Sequence, residues 1–394
     1  MTNTDIIALN ERYLFPTYVR APIALVRGDG CRVWDADGRE YLDFFASTVV
    51  TALGHAHPAV TRALTEQAAK IVHVSNLHHS EPQALLAAQL CRHSFADRVF
   101  LCNSGAEANE AAIKLARKYG ADQADGRFEI VTALGSFHGR TIATIAATGQ
   151  EKVRRGFQPL PEGFRYVPYN DAAALAAALT PRTIAVMLEP LQGEGGIVAA
   201  TPAYLRAVRD LCDQHGLLLI FDEVQTGVGR TGTLFAYEHT GITPDIMTLA
   251  KGLGTGVPIG AMLGTERLAR CFGPGSHGST FGGNALTCAV ALVVLHALLE
   301  DGVLDNCRQQ GLYLRERLHA LAAGGTRIRN VRGNGLLVGV ELDGPGGAVV
   351  DACRNAGLII NCTAETVLRL SPPLVVSRAE VDRCIDILAG VLSQ

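Results

Sequence analysis

The 394-residue chain is 48% apolar and 19% charged, and 35 basic against 38 acidic residues leave a formal net charge of −3. This is the composition of a globular protein with a sizeable core, which excludes a disordered chain. No basic run or basic–aromatic patch is present, so no nucleic-acid partner is expected.

The opening MTNTDIIALNERYLFPTYVR lacks the basic and apolar regions of a secretory signal. No uninterrupted apolar run reaches the roughly 18 residues of a membrane span, so a cytoplasmic protein with no membrane partner is expected. The ten cysteines form no C-x-x-C pair. They read as reduced, mostly apolar thiols, neither a disulfide framework nor a zinc site.

In RVWDADGREYLDF, Asp37-Gly38 supplies turn chemistry between two runs of strand formers. His55 and His57 in GHAHP have ligand-like spacing but no nearby carboxylate or cysteine cluster, so no metal is expected. From RVFLC (98–102) the chain alternates short apolar runs with helical patterns: EIVTA (129–133), TIAVMLE (183–189), LLLIFD (217–222), DIMTLAK (245–251) and PIGAML (258–263). That alternation predicts an α/β fold with a mostly parallel central sheet.

Two helices can be placed with a mechanism. Ser104 and Glu107 have capping-box spacing, with Ala112, Leu115, Ala116 and Tyr119 on one face and Gly120 as the expected stop. Thr201 caps a second helix with Pro202 in its first turn, and Gly216 ends it before LLLIF. Beyond about residue 285 longer amphipathic helices and the strands GLLVGVEL, GLIIN and TVLRL predict a smaller α/β domain, completed by the N-terminal segment and closing on the capping box Ser377/Glu380. The expected division is 49–284 for the large domain and 1–48 with 285–394 for the small one.

A buried strand ending on Asp222-Glu223 needs a partner for its charge. An ATPase would also require G-x-x-x-x-G-K-[ST], which is absent. The glycine-rich GLGTGV (252–257) leads into an apolar run rather than a helix, unlike a dinucleotide fingerprint, and no G-x-S-x-G elbow exists. What remains is a cationic organic cofactor. Lys251 ends another buried strand, where a desolvated amine becomes nucleophilic. Ser104-Gly105-Ala106 opens a helix after a strand, a phosphate-binding arrangement. GSFHGRT (135–141) offers a ring, a histidine and an arginine, and HGSTFGGN (277–284) offers hydroxyls and glycines. In an open α/β sheet such strand-end loops converge. Pyridoxal phosphate requires this set: a lysine, an acid for its ring nitrogen, a stacking ring and a phosphate cradle.

With NSGAEANEAAIKLARK, FHGRT, LEPLQGEGG, LLIFDEVQTGVGRTG, HGSTFGGN and VLRLSPPL in order, the chain resembles the class III aminotransferases, and among them the N-acetylornithine aminotransferases, from about Arg27 to the C-terminal helix. The resemblance implies a fold-type I pyridoxal-phosphate enzyme. It also implies transfer of the terminal amino group of N-acetylornithine to 2-oxoglutarate, in arginine synthesis. By the same likeness Lys251 carries the cofactor and shuttles protons, Asp222 faces the ring nitrogen, Gln225 the phenolic oxygen and Phe137 the ring face. Gly105 and Ala106 bind phosphate through their N–H groups, and Glu223 and Val224 complete the run in backbone or structural roles. Thr280 reaches the neighbouring subunit's phosphate, which implies a homodimer. Arg140 holds the α-carboxylate of acetylornithine, with Ser279 in contact, and Arg369 holds that of glutamate or 2-oxoglutarate, screened by Glu189. ASTVVTALGHAHP, His78-His79 and Ala285 depart from the family pattern, and the first two flank the expected donor pocket. Sister donors (ornithine, succinylornithine, 4-aminobutyrate, an acylated lysine) and a mutase or lyase of the same scaffold stay open alternatives.

Overall fold

The computed structural model describes residues 1–393. In chain order the strands are β1 (Leu25–Asp29), β2 (Arg32–Asp35), β3 (Glu40–Asp43), β4 (Arg98–Cys102), β5 (Glu129–Ala133), β6 (Phe164–Val167), β7 (Thr183–Leu188), β8 (Leu191–Gln192), β9 (Val198–Ala199), β10 (Leu218–Asp222), β11 (Ile246–Leu249) and β12 (Gly260–Gly264). β13 (Ile328–Asn334), β14 (Leu337–Leu342), β15 (Leu358–Ile359), β16 (Asn361–Thr363) and β17 (Val367–Leu370) follow.

Seven strands form the central sheet in the order β4-β12-β11-β10-β7-β5-β6. β12 pairs antiparallel with both neighbours, and the other pairings are parallel. Alternate residues serve two cores. Ile130, Met187 and Ile220 face one side with Ala112 and Leu115 of the helix Gly105–Gln123, while Val131, Val186, Leu219 and Phe221 face the other with Val208 of the helix Pro202–His215. Burial on both faces explains why these strands read as unbroken apolar runs.

Both expected helix starts are present, and the first motif differs from expectation in two details. Ser104 Oγ accepts the Glu107 N–H, but the Glu107 carboxylate reaches back to the Asn103 N–H at 2.8 Å rather than to that of Ser104. The helix also runs through Gly120 to Gln123. Gly120 is needed for close approach, not termination: a Cβ there would lie 1.8 Å from the Arg127 carbonyl oxygen. Gly216 does end its helix, at φ 59°. Ser377 and Glu380 form the full reciprocal cap.

The hairpin β2–β3 forms as expected, and β15 pairs in parallel with β3, so distant parts of the chain share one sheet. A further sheet runs β13-β14-β17-β16. The helix Ala285–Leu299 packs on the helices Pro58–Lys70 and Glu81–Arg92. No single helix among the described residues is long and apolar enough to cross a membrane.

Candidate active site

The carboxyl ends of β4, β5, β7, β10 and β11, with the start of β12, open on one edge of the central sheet. A cavity of about 530 Å³ lies there, lined by Ser104, Gly105 and Ala106 after β4, Phe137 to Arg140 after β5, Glu189 after β7, Asp222, Val224 and Gln225 after β10, and Lys251 after β11. A crevice at the strand ends of an open α/β sheet is where such folds bind ligands. Tyr18 also lines it, from a segment no sequence motif marked, as does Val50 of the ASTVVTALGHAHP segment expected to flank the donor pocket.

Asp222 is fixed by three neighbouring groups. Its Oδ1 accepts the Val224 N–H at 3.0 Å, and its Oδ2 accepts from Asn109 Nδ2 at 2.8 Å and lies 2.8 Å from His138 Nδ1. Asn109 is held in turn by Thr248 Oγ1, which donates to its Oδ1 at 2.7 Å, and it donates to the His138 carbonyl at 2.7 Å. Asn109, His138 and Thr248 are buried. This network orients one carboxylate edge toward the cavity.

Glu223 points away. Its carboxylate accepts the N–H groups of Ala236 (2.5 Å) and Tyr237 (2.9 Å), and burial pushes its pKa up to about 7. It does not line the cavity, so its part is to anchor the 236–239 turn. Two adjacent carboxylates thus serve opposite sides of the strand, as the period of β structure requires.

Lys251 adopts φ 44° at the start of a short 3₁₀ turn. Burial lowers its amine from 10.5 to about 8, and the nearby Glu194 only partly restores it. Such an amine is partly neutral near pH 7–8 and nucleophilic. Gly105 and Ala106 lie in the first turn of a 19-residue helix, whose early N–H groups have no intrahelical acceptor. A Cβ on Gly105 would meet Val224 Cγ1 at 2.7 Å, so this cradle sits hard against the strand end that bears Asp222.

Arg140 is exposed, with its guanidinium 5.4 Å from the Phe137 ring. Arg369, on β17, is 2% exposed. It donates to Glu194 Oε1 at 2.6 Å, to Gln225 Oε1 at 3.3 Å and to Asn361 Oδ1 at 3.0 Å.

The expectation that Glu189 screens Arg369 is therefore corrected: Glu194 does so. Glu189 instead accepts the Phe137 N–H at 3.0 Å, and the hydroxyl of Tyr169 donates to its carbonyl at 2.6 Å. Burial pushes the Glu189 carboxyl well up, and the charge of Asp222 adds to this. For Glu194, burial acts upward too, but Arg369 outweighs it and holds the carboxyl below its usual range. Both glutamates lie in LEPLQGEGG, and sequence offered no means of telling which one meets an arginine 175 or more residues away.

Ser279 and Thr280 do not line this cavity. Ser279 Oγ accepts from Asn103 Nδ2 and from the Gly282 N–H, both at 3.0 Å, and Thr280 is exposed. His55 pairs with Asp43 at 2.8 Å, and no group of three or more metal-ligating residues occurs among the described residues.

An enclosed amine, a fixed anion, a ring and a helix N-terminus around one cavity fit a flat, cationic, phosphorylated aldehyde. Comparison with known proteins gives the same chemistry. The family model described as Aminotransferase class-III matches residues 14–392. An acetylornithine aminotransferase of Caldanaerobacter subterraneus subsp. tengcongensis is 51% identical over 390 residues, covering 98% of this chain and 99% of that one. The ornithine aminotransferase of Toxoplasma gondii, whose crystals show partial occupancy of pyridoxal phosphate at the active site, superposes with a TM-score of 0.96 at 34% identity, over 100% of this chain and 94% of that one. The N-acetylornithine aminotransferase of Stenotrophomonas maltophilia gives 0.85 at 40% identity, over 98% of each chain.

Proposed function

The chain belongs to the class III aminotransferases, enzymes that use pyridoxal phosphate, and on that premise we propose that it moves the terminal amino group of N-acetylornithine to 2-oxoglutarate. Acetylornithine aminotransferases near 50% identity over their full length support this donor. The observation that carries the reaction type is a pair of arginines, the exposed Arg140 in the cavity lining and the buried Arg369 behind it, bonded to the lining residue Gln225, suited to two acids of different length.

When bound, pyridoxal phosphate supplies a carbonyl that captures amines and a ring that withdraws electrons from the substrate carbon. Lys251 would hold its carbonyl carbon, Gly105 and Ala106 its phosphate, Phe137 its ring face, Gln225 its phenolic oxygen and Asp222 its ring nitrogen. Asp222 keeps its charge toward the ring because Asn109 and His138 occupy its other oxygen. Lys251 Nζ, with its lowered affinity for protons, then carries the proton that leaves the substrate carbon and returns it elsewhere. Arg140 holds the donor's remote carboxylate and Arg369 that of the dicarboxylate. Glu194 neutralises Arg369 while the donor is bound.

The same reading takes residues 49–284 as the cofactor-binding unit and 1–48 with 285–394 as the smaller one, a division supported by the separate sheets and the β3–β15 pairing. It takes the active form as a homodimer in which Thr280, with Ser279, serves the neighbouring site. Exposed apolar residues Ile71, Val72, Leu77 and Phe281 around Thr280 support an interface there. The ten free thiols suit a reducing, cytoplasmic compartment.

A panel of amines, each read by loss of the cofactor's visible absorption and its return on adding 2-oxoglutarate, tests the proposal. N-acetylornithine should react fastest. A faster reaction with ornithine or 4-aminobutyrate would move the assignment to that donor, and absence of the two-acid reversal would overturn transamination.

A further inference from the structure

Residues 44–50 lead from the end of β3 to the cavity. Four consecutive non-glycine residues there, Ala46, Ser47, Thr48 and Val49, have φ values of 45°, 51°, 64° and 63°. Such a run does not persist on local preference, because each Cβ crowds the carbonyl that follows it. Something outside the turn must hold it.

Asp43 does so from one side. Its Oδ1 accepts the N–H groups of Phe45 (3.0 Å) and Ala46 (2.8 Å), which fixes the entry to the turn. Its Oδ2 lies 2.8 Å from His55 Nε2. His55 is itself fixed: its main chain exchanges two 2.9 Å hydrogen bonds with Gly30, and a Cβ on Gly28 would come within 2.5 Å of the His55 Cβ. The histidine that sequence left without a role therefore links the neighbouring hairpin to the carboxylate that holds the turn.

The turn touches the site in two places. Val50 lines the cavity. The Phe45 ring lies 6.0 Å from the Arg369 guanidinium, within range of a cation–π contact. Ser371, two residues beyond Arg369, donates its N–H to the Phe44 carbonyl at 2.8 Å and its hydroxyl to the Phe45 carbonyl at 3.1 Å. The strand that carries Arg369 is thus joined to the same residues that Asp43 fixes. Arg140, on the loop after β5, lies outside this chain of contacts.

We infer that Asp43 and His55 are positioning residues for the acceptor acid: by holding the left-handed turn they set Phe45 against Arg369 and so set the grip on the dicarboxylate. The inference rests on the assignment of Arg369 to that acid. Loss of the pair should affect one half of the reaction and spare the other.

The test uses the holoenzyme. His55→Leu should raise KM for 2-oxoglutarate about five- to tenfold, the scale of a lost supporting hydrogen bond, while the donor half-reaction stays within about twofold of wild type. His55→Gln, whose amide N–H can replace Nε2, should behave as wild type. Ser47 is exposed, so Ser47→Gly changes little but the backbone cost of the turn, and added to His55→Leu it should restore most of the lost acceptor affinity. Hydrogen exchange of the 44–52 peptide, measured with and without cofactor, should quicken in His55→Leu and slow again in the double variant. Should His55→Leu not fold, His55→Asn, too short to reach Asp43, takes its place with the same expectations. An unchanged KM for 2-oxoglutarate, or an equal fall in both half-reactions with no rescue by Ser47→Gly, overturns the inference. A wild-type enzyme that does not use 2-oxoglutarate overturns the reaction assignment and this inference with it.

Discussion

Arg369 and Glu194 are joined by a 2.6 Å ion pair whose two ends differ, the guanidinium being 2% exposed and the carboxylate 30% exposed. The arginine is held by Asn361 and Gln225 as well, so an entering dicarboxylate has only Glu194 to displace. Glu194→Gln should leave a buried cation poorly compensated whenever the donor occupies the site. The donor half-reaction is expected to slow about tenfold, or ~1.4 kcal/mol, while KM for 2-oxoglutarate falls. Single-turnover rates for each half, compared with wild type, check this.

Arg140→Ala should weaken donors with a remote carboxylate and leave short amines untouched. A truncated hydrogen-bonded charge pair costs roughly 2–4 kcal/mol, so kcat/KM for N-acetylornithine should fall about 30- to 1,000-fold. The comparison that decides it is a simple alkylamine, which carries no carboxylate, against N-acetylornithine in the same preparation.

Lys251 gives a pH prediction for the cofactor-free protein. With its amine lowered to about 8 from 10.5, the folded state binds fewer protons than the unfolded state between those values. Stability should therefore rise with pH across that window, and the rise should vanish in Lys251→Met. Labelling of Lys251 by an amine reagent should show a midpoint near 8, read by peptide mapping.

Glu223 has the opposite slope. Its carboxyl is raised to about 7 from 4.5, so the folded state binds more protons than the unfolded state over that range and stability should fall as pH rises through it. Thermal midpoints of wild type and Glu223→Gln, followed from pH 4.5 to 7, should converge or cross, because the variant lacks this contribution.

Asn109→Ala removes one donor to Asp222 and strands the Thr248 hydroxyl in a buried setting. A loss of about 1–3 kcal/mol in stability is expected, with weaker cofactor retention. Asp222→Asn should be more severe in rate, about 100-fold or more, since it deletes the charge itself. Chemical denaturation and equilibrium dialysis of cofactor separate the two effects.

The central sheet was legible because its strands are buried on both faces and so appear as apolar runs, and the catalytic loops because they follow those runs directly. Asp222 ends β10, and Lys251 and Phe137 follow β11 and β5 within four residues, so their convergence follows from topology. Glu194, Asn109 and His138 were not legible in their roles. Asn109 sits in the second turn of its helix among alanines, and nothing in the sequence says that its face meets β10 and β11. Glu189 and Glu194 are five residues apart and differ only in which way the hairpin β8–β9 turns them. The left-handed turn was equally hidden: Ala46, Ser47, Thr48 and Val49 carry no glycine to announce positive φ, and at ~1–2 kcal/mol per residue such strain is paid for by contacts that only the folded chain supplies.

The parallel pairing of β15 with β3 places Leu358 beside Leu42. During synthesis the amino-terminal hairpin must therefore wait for more than three hundred further residues before its last neighbour leaves the ribosome. The central sheet, complete by Gly264, can form well before that. A nascent chain of this protein should thus pass through a stage with a finished cofactor-binding sheet and an unpaired β3 edge, and it is at this stage that chaperone protection would matter most.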